Sequence, residues 1–459
     1  MRPQLVAGID ASTQQTKLVV VDVTTGELVH SSAAPHPDGT ELNPQHWWVA
    51  LQSAGGMRPV GASALAVAAQ QHTSIFLDEA GRPVRPAILW NDLRASRAAR
   101  ELRAELGDQR WLSSVGLLPD AAHPVSKLRW LAEHEPDAAE RVDTVLLPHD
   151  WLTWKLLGED GTPTTDRSDA STTGYWSPST GRYQPELLER ALGRSVRTPD
   201  ILSPEAVAGT TSSGLVLAAG CGDNAATHLA LDTEPGDLVI SIGTSTTVSM
   251  RTGEQSADPA GTIETMADAR AGFIPIVVLL NGARVVGATA RLLGVTIEQL
   301  DGLARESDPD AASALLVPHL DGERNPSSPT ASGSFIGLSR RSMTPPALAR
   351  ATYLGLACSI AEAFDALVAA HGAPSRVLIV GGGARAQSLR QAITDLIGTE
   401  LEWPAHREHA AFGAARQAAW ALTGSLPEWP GRSVTRTAPS PQRRWVEDVR
   451  DRYRMAADH

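Results

Sequence analysis

Two segments about half the chain apart repeat one local design: Gly8-Ile9-Asp10-Ala11-Ser12-Thr13 and Ser241-Ile242-Gly243-Thr244-Ser245-Thr246. Each follows an apolar run and precedes a β-branched one, the pattern of strand, tight turn, strand. A turn rich in short hydroxyls points backbone N–H groups at one place, which suits a phosphate chain. Two copies predict two similar domains facing each other, with a nucleotide in the cleft between them and phosphoryl transfer as the chemistry. The length of 459 residues exceeds the size at which single cores stop growing, so two domains are expected on this ground as well.

A formal net charge of -12 argues against nucleic acid or an anionic membrane surface, both of which need clustered basic residues. It leaves room for a local phosphate site. The two cysteines, Cys221 and Cys358, form no CxxC pair, so neither a disulfide framework nor a thiolate zinc site is expected. The first strand, Leu5 to Ile9, follows Met1 almost at once, without the pattern of a secretory signal, and no uninterrupted apolar stretch approaches 18 residues. A cytoplasmic protein with no membrane partner is the expectation. Lysine occurs only at positions 17, 127 and 155 and never after glycine, which excludes a GxxxxGK[ST] loop. Phosphate binding therefore needs another architecture.

Along the chain, Leu5 to Ile9, Thr16 to Asp22 and Gly26 to His30 read as an antiparallel meander. Further strands are expected at Leu65 to Ala69, Ile75 to Leu77, Pro86 to Trp90 and Gly214 to Ala219. Helices are expected at Ala95 to Leu106, closed by Gly107, and over 124–135 and 148–157. Pro235-Gly236 marks the boundary, giving domains 1–234 and 235–459. In the second half, Val377 to Val380 runs into a glycine turn, Gly381-Gly382-Gly383, and then a helix whose Leu389, Ile393, Leu396 and Ile397 share one face. An Ala-rich helix spans Ala410 to Leu422, a polar linker Thr435 to Pro441, and a short amphipathic helix over 442–456 places Trp445, Val449 and Tyr453 on one side, suited to packing back on the body.

Asp10 ends the first strand, where a carboxylate reaches a metal held on phosphates, although strand-end aspartates also serve as turn formers. Lys17 follows on the next strand, either as a cation for a terminal phosphate or as a solvated edge lysine. Asp223, in Gly220-Cys221-Gly222-Asp223-Asn224, stands at a strand-to-helix turn at the carboxyl end of a strand. There it could accept the proton of an attacking hydroxyl or cap the helix. Gly381 to Gly383 lacks the later glycine of GxGxxG, and His406-Arg407-Glu408-His409 lacks HExxH spacing, so neither a Rossmann nor a metal-hydrolase reading is favoured. Asp166 and Asp169 fit a local turn and cap network. Whether Cys221 is sensitive to oxidation stays open.

Together these segments resemble the FGGY carbohydrate kinases and, within them, the xylulokinase subgroup, over nearly the whole chain. Gly8 to Lys17 is similar to the family's opening Gly-Ile-Asp-x-[Gly/Ser]-Thr with its basic residue seven positions after the Asp. Gln70-Gln71-His72-Thr73 resembles Gln-Met-His-Gly, with Gln71 and Thr73 in place of Met and Gly. Arg85 to Arg94 matches Arg-Pro-Ala-Ile-Leu-Trp-Asn-Asp-x-Arg, and Thr165 to Ser171 matches Thr-Asp-x-Ser-Asp-Ala-Ser. Gly222 to Ala226 is similar to the segment that carries the family's catalytic Asp, Ile242 to Ser245 to its second phosphate loop, and Gly381 to Arg385 to its adenosine loop. Asn281 to Val285 and Pro318 to Arg324 resemble segments read as architectural.

The resemblance implies an α/β fold of two ribonuclease-H-like domains of the actin, hexokinase and Hsp70 superfamily, with a ligand cleft between them. The N-terminal domain would bind the sugar and carry the base; the C-terminal one would bind the nucleotide. The activity implied is ATP-dependent phosphorylation of D-xylulose to D-xylulose 5-phosphate. Asp223 is then the catalytic base. Gln71, His72, Trp90, Asn91, Asp223 and Asn224 line the sugar. Thr13, Lys17, Gly243, Thr244, Gly287, Gly382, Gly383 and Gln387 hold ATP, and Asp10 holds Mg²⁺. Asn91 and Asn224, where glycerol kinases carry Gln, disfavour glycerol. Another ketose, a polyol or gluconate stays open as substrate, as does a nonenzymatic ATP-binding regulator, and the oligomeric state is open with a homodimer among the options.

Overall fold

The strand Leu5–Ala11 is buried at six of its seven positions, as a central strand covered on both faces should be. It pairs in parallel with Ala62–Ala69 and antiparallel with Gln15–Asp22. The sheet runs Val207–Thr210, Val216–Ala218, Ala62–Ala69, Leu5–Ala11, Gln15–Asp22, Leu28–Pro35, with Cys221–Gly222 also paired to Ala62–Ala69. The computed structural model describes residues 4–307, 314–324, 330–405, 408–429, 433–441 and 443–457.

This sheet belongs to the first of two units, which comprises Met1–Thr233, Thr252–Ile274 and Arg407–Gly431. Ile9, Leu18, Val20, Trp47, Leu51, Leu65 and Val67 join Trp151 and Leu152 in one core. A second core, built from Phe76, Leu102, Trp111, Leu128, Leu131, Tyr175 and Leu187, lies among the helices Ser96–Leu106, Asp108–Val115, Pro124–His134 and Pro185–Leu192. The Ala-rich helix His409–Thr423 packs on Leu5–Ala11 and on the helix Asp223–Ala230. Small residues permit that closeness: a Cβ on Gly413 would fall 1.8 Å from the carbonyl oxygen of Ala226.

The second unit comprises Glu234–Arg251, Pro275–His406 and Arg432–His459. Its sheet follows the path Phe273–Leu279, Thr246–Met250, Asp237–Ile242, Arg376–Val380, Leu401–Pro404, Val434–Thr437. The first unit's opening stretch ends at Thr233, and 252–274 and 407–431 return to that unit. Thr435 to Pro441 is not linker throughout: Val434–Thr437 is an edge strand antiparallel to Leu401–Pro404. The closing helix is Trp445–Ala457. It buries Trp445, Val449 and Tyr453 and packs against Pro345–His371, with Arg450 and Arg454 each 3.1 Å from Glu362 Oε1. Among the described residues, Pro345–His371 is the one helix long and apolar enough to cross a membrane, and most of it is buried as a core element.

Candidate active site

In the first unit, three strands end together. The register pairs Ala11 with Ala69 and Cys221 with Ala68, so the segments after these strands, bearing Asp10 to Thr13, Gln70 to Thr73 and Asp223, emerge at the same edge. This is the carboxyl end of parallel strands, where α/β folds collect ligands. Asp10 is buried. Its Oδ2 accepts from Ser12 Oγ at 2.6 Å and lies 3.7 Å from Lys17 Nζ, while Oδ1 is buried without a partner. Burial raises its pKa, against the opposing pull of Lys17 and Ser12. Lys17 has a partner that sequence spacing does not reveal: Glu408 Oε2 at 2.7 Å. Burial disfavours the Lys17 charge, but Asp10 and Glu408 outweigh it and raise the pKa.

Asp223 is the first residue of the helix Asp223–Ala230, with Gly222 in the cap position, so the capping alternative does not hold. A carboxylate in the first turn also meets the positive end of the helix dipole. Asp223 Oδ1 accepts from the backbone N–H of Asn224 at 2.8 Å and from its Nδ2 at 3.1 Å; Asn224 Nδ2 in turn donates to Gln71 Oε1 at 3.1 Å. Burial first, then the charges of Asp10 and Asp169, push the Asp223 carboxyl from 3.8 to about 8. A group so perturbed at a strand end is a candidate acid or base.

A buried network fixes the turn before Asp223. Gly222 N–H donates to Ser168 Oγ at 3.0 Å, and Ser168 Oγ donates to Asp166 Oδ1 at 3.0 Å. His149 Nε2 donates to the Ala219 carbonyl at 2.7 Å, and its Nδ1 faces Asp169 Oδ2 at 3.0 Å. Both ring nitrogens of His149 face oxygen atoms, and its pKa is raised well above the usual value, since its carboxylate neighbours Asp150 and Asp169 overcome burial. Gly220 has φ +76°, and a Cβ there would lie 2.2 Å from His149 Nε2. Asp166 acts as the expected cap, accepting from Ser168 N and Asp169 N, whereas Asp169 turns to His149.

Of the residues expected at the sugar, Gln71 and Asn224 join Asp223 in one hydrogen-bonded chain, and Gln71 Nε2 donates to the Ser168 carbonyl at 3.2 Å. Thr73 Oγ1 accepts from Trp90 N at 3.2 Å and donates to Gln70 Oε1 at 3.3 Å. Both departures from the family pattern, Gln71 and Thr73, thus have structural work. Trp90 Nε1 donates to Thr13 Oγ1 at 3.0 Å, joining the Arg85 to Arg94 segment to the turn after the first strand. Asn91 Nδ2 donates to the Gly39 carbonyl at 3.3 Å, and its Oδ1 is buried without a partner. His72 is buried, with Nε2 at 2.9 Å from Glu264 Oε1. Neither Glu264 nor His123, which also meets Glu264, is marked by any local motif. Cys221 is buried and its thiol is pushed well up by burial, which removes the setting for easy oxidation.

In the second unit, the turn Gly243 to Ser245 closes the hairpin Asp237–Ile242 and Thr246–Met250, with Gly243 N donating to Ser245 O at 2.9 Å. Ala283 N donates to Gly243 O at 2.9 Å, which sets the start of the helix Ala283–Leu293, and so Gly287, against the loop that carries Gly243 and Thr244. Asn281 Nδ2 donates to Gly322 O at 2.8 Å and Glu323 Oε2 at 3.0 Å, tying together the two segments expected to be architectural. Gly381 has φ +91°, and a Cβ there would lie 2.4 Å from Ile242 O. A Cβ on Gly383 would lie 2.4 Å from Ile242 Cγ2, so this glycine is required by packing; Gly382 is open. The strand Arg376–Val380 leads through a 3₁₀ turn, Gly382–Arg385, which holds two of the three glycines, to the helix Gln387–Ile397, the expected order of strand, glycine turn and helix. Gln387 is exposed at that helix start. His406 and Arg407 lie outside the described residues.

Two family models cover this arrangement. The N-terminal domain of the FGGY family of carbohydrate kinases matches residues 5–227, and the C-terminal domain matches 238–422. A xylulose kinase from Streptomyces coelicolor is 42% identical over 437 residues, covering 92% of this chain and 88% of that protein. The chain belongs to the FGGY family of carbohydrate kinases. A second FGGY relative, the xylulose kinase of Escherichia coli, is 30% identical over 438 residues, covering 90% of this chain and 89% of that protein. The crystal structure of a xylulose kinase from Bifidobacterium adolescentis superposes with a TM-score of 0.84 at 34% identity, covering 99% of this chain and 100% of that one. The two-domain α/β fold of the family is therefore established for this chain, and FGGY membership implies ATP as a substrate.

Proposed function

We propose that this FGGY kinase phosphorylates the terminal hydroxyl of D-xylulose, giving D-xylulose 5-phosphate and ADP. The observation that carries the reading is Asp223: a carboxyl with its pKa raised to about 8 at the carboxyl end of parallel strands, held by Asn224, whose side-chain amide also donates to Gln71. In the step, Asp223 takes the proton of the attacking hydroxyl, the terminal phosphoryl group of ATP passes to that oxygen, and ADP leaves; the proton then returns to solvent. Asp223 gains basicity from the same neighbours that burden it, and its pKa lies near working pH, where a general base is most effective. The xylulose kinase relatives support the choice of sugar.

Residues 1–234 would supply the sugar site, with Gln71, His72, Trp90, Asn91 and Asn224 beside Asp223, and 235–459 the nucleotide contacts at Gly243, Thr244, Gly287, Gly382, Gly383 and Gln387. Thr13 and Lys17 would meet the phosphates from the first loop. The buried, unpartnered Oδ1 of Asp10 fits a ligand position for Mg²⁺. When bound, the ion would neutralise phosphate charge. The cytoplasm suits a chain whose two cysteines are buried and unpaired, and the net charge of -12 disfavours nucleic-acid and membrane partners. A homodimer is the assembly to test by light scattering. A panel of D-xylulose, other ketoses, polyols and gluconate, read by ADP release, tests the substrate. Fastest kcat/KM on D-xylulose is expected; turnover of another sugar with D-xylulose inert would reject the assignment.

A further inference from the structure

His72 adopts φ +63°, a left-handed conformation that a residue other than glycine keeps only when its surroundings enforce it. Buried Lys127, on the helix Pro124–His134, donates to the His72 carbonyl at 2.8 Å and to the Ile88 carbonyl at 3.1 Å, which fixes the backbone. The ring is held separately. Glu264 Oε1 lies 2.9 Å from His72 Nε2 and 3.1 Å from His123 Nε2, and His123 Nδ1 lies 2.8 Å from Asp120 Oδ1. The two imidazoles meet edge to face with centroids 5.2 Å apart, and His72, His123 and Glu264 are all buried.

A carboxylate between two buried rings is tolerable only where protons on those rings answer its charge. Burial disfavours a charged His123, but Asp120 and Glu264 overcome it and push the ring up to about 9. Burial likewise disfavours the Glu264 charge, and His72 and His123 hold that carboxyl well below its usual value. A hydrogen-bonded cluster of opposite charges in this position fixes one ring orientation.

We propose that Glu264 is a positioning residue for sugar recognition: with His123 and Asp120 behind it, it fixes the orientation of the His72 ring, while Lys127 fixes the His72 backbone. The proposal rests on the reading that His72 lines the sugar site. The same three side chains offer two imidazole nitrogens and a carboxylate, with Asp120 behind one histidine, a set that could also hold zinc. The direct hydrogen bonds at 2.9 and 3.1 Å favour the ion-paired cluster.

The experiment uses the full chain with D-xylulose and ATP. Glu264→Gln is expected to raise the KM for D-xylulose on the order of 10-fold, with kcat and the KM for ATP changed by less than about twofold. His72→Asn should raise the same KM, and adding Glu264→Gln to it should raise it no further, because both act through one ring. Asp120→Asn, at a partly exposed carboxylate, should give a smaller shift in the same direction, and it decides the matter if Glu264→Gln does not fold. If His72→Asn leaves the sugar KM unchanged, the reading of His72 as a sugar residue falls. If His72→Asn raises KM but neither Glu264→Gln nor Asp120→Asn does, or if the effects add independently, the positioning role falls. One zinc per chain, retained by the native protein through gel filtration and lost in Glu264→Gln, would also overturn it.

Discussion

Asp223→Asn separates what the carboxyl does for catalysis from what it costs the fold. Asparagine keeps an oxygen where Oδ1 accepts from Asn224 N and Nδ2, so the local hydrogen bonds survive. Ionisation is what disappears. In the native protein, burial and then Asp10 and Asp169 push this carboxyl from 3.8 to about 8. Between those values the unfolded chain releases its proton while the folded chain retains it. The stability associated with the protonated form is thus complete below 3.8 and is lost as pH climbs through about 8. At pH 7 the difference corresponds to roughly 4 kcal/mol against folding. Asp223 is partly open to solvent, and discounting for screening leaves about 1 to 2 kcal/mol. The amide carries no such penalty. At roughly 2 °C per kcal/mol for a body of this size, Asp223→Asn should melt about 2 to 4 °C above the native protein at pH 7. Turnover should fall on the order of 10² to 10⁴, with nucleotide binding retained. Differential scanning calorimetry, an ADP-coupled assay and nucleotide titration read the three quantities. Unchanged turnover would refute Asp223 as the base, and a lower melting temperature would refute the electrostatic reasoning.

The acid limb of kcat/KM should have a midpoint well above 3.8 and no higher than about 8, because Asp223 must be ionised to accept a proton; a pH profile with an ordinary carboxylate midpoint would contradict this. Lys17→Ala should weaken ATP binding more than ADP binding in calorimetry, whereas equal losses would mark a lysine that serves only its pairs with Asp10 and Glu408. Gly220→Ala should lose about 2 to 4 kcal/mol of stability in denaturant unfolding. Its added carbon meets His149 Nε2 at 2.2 Å and the Val67 carbonyl at 2.6 Å, at φ +76°. A loss below about 1 kcal/mol would show that the turn yields.

What sequence makes legible is local. The two hydroxyl-rich turns, the strands around them and the final amphipathic helix are each announced by a few neighbouring residues, and each is found where expected. The miss at Val434–Thr437 has a local cause too: its alternation of Val and Thr with polar residues is only four residues long and three of the four are exposed, as an edge strand allows, so composition resembles linker. The glycine turn after Val380 is legible as a turn, but three glycines admit several backbone paths, and contact with Ile242 selects the 3₁₀ one.

The charge partners are another matter. Glu264 is 192 residues from His72 and 141 from His123, and Lys17 meets Glu408 across nearly the whole chain. Even His149 and Asp169, 20 residues apart, belong to different elements, so Asp169 resembled another member of the cap network that Asp166 alone completes. Patterns reveal residues whose chemistry is set by their neighbours in the chain. Charges buried beside a site are set by the fold. Glu408, in the stretch 407–431, pairs with Lys17, and Glu264, in the stretch 252–274, faces His72, both from segments that return to the first unit. For that reason the residues that tune Lys17 and His72 sit in the two stretches that return to the first unit, where no motif leads the eye.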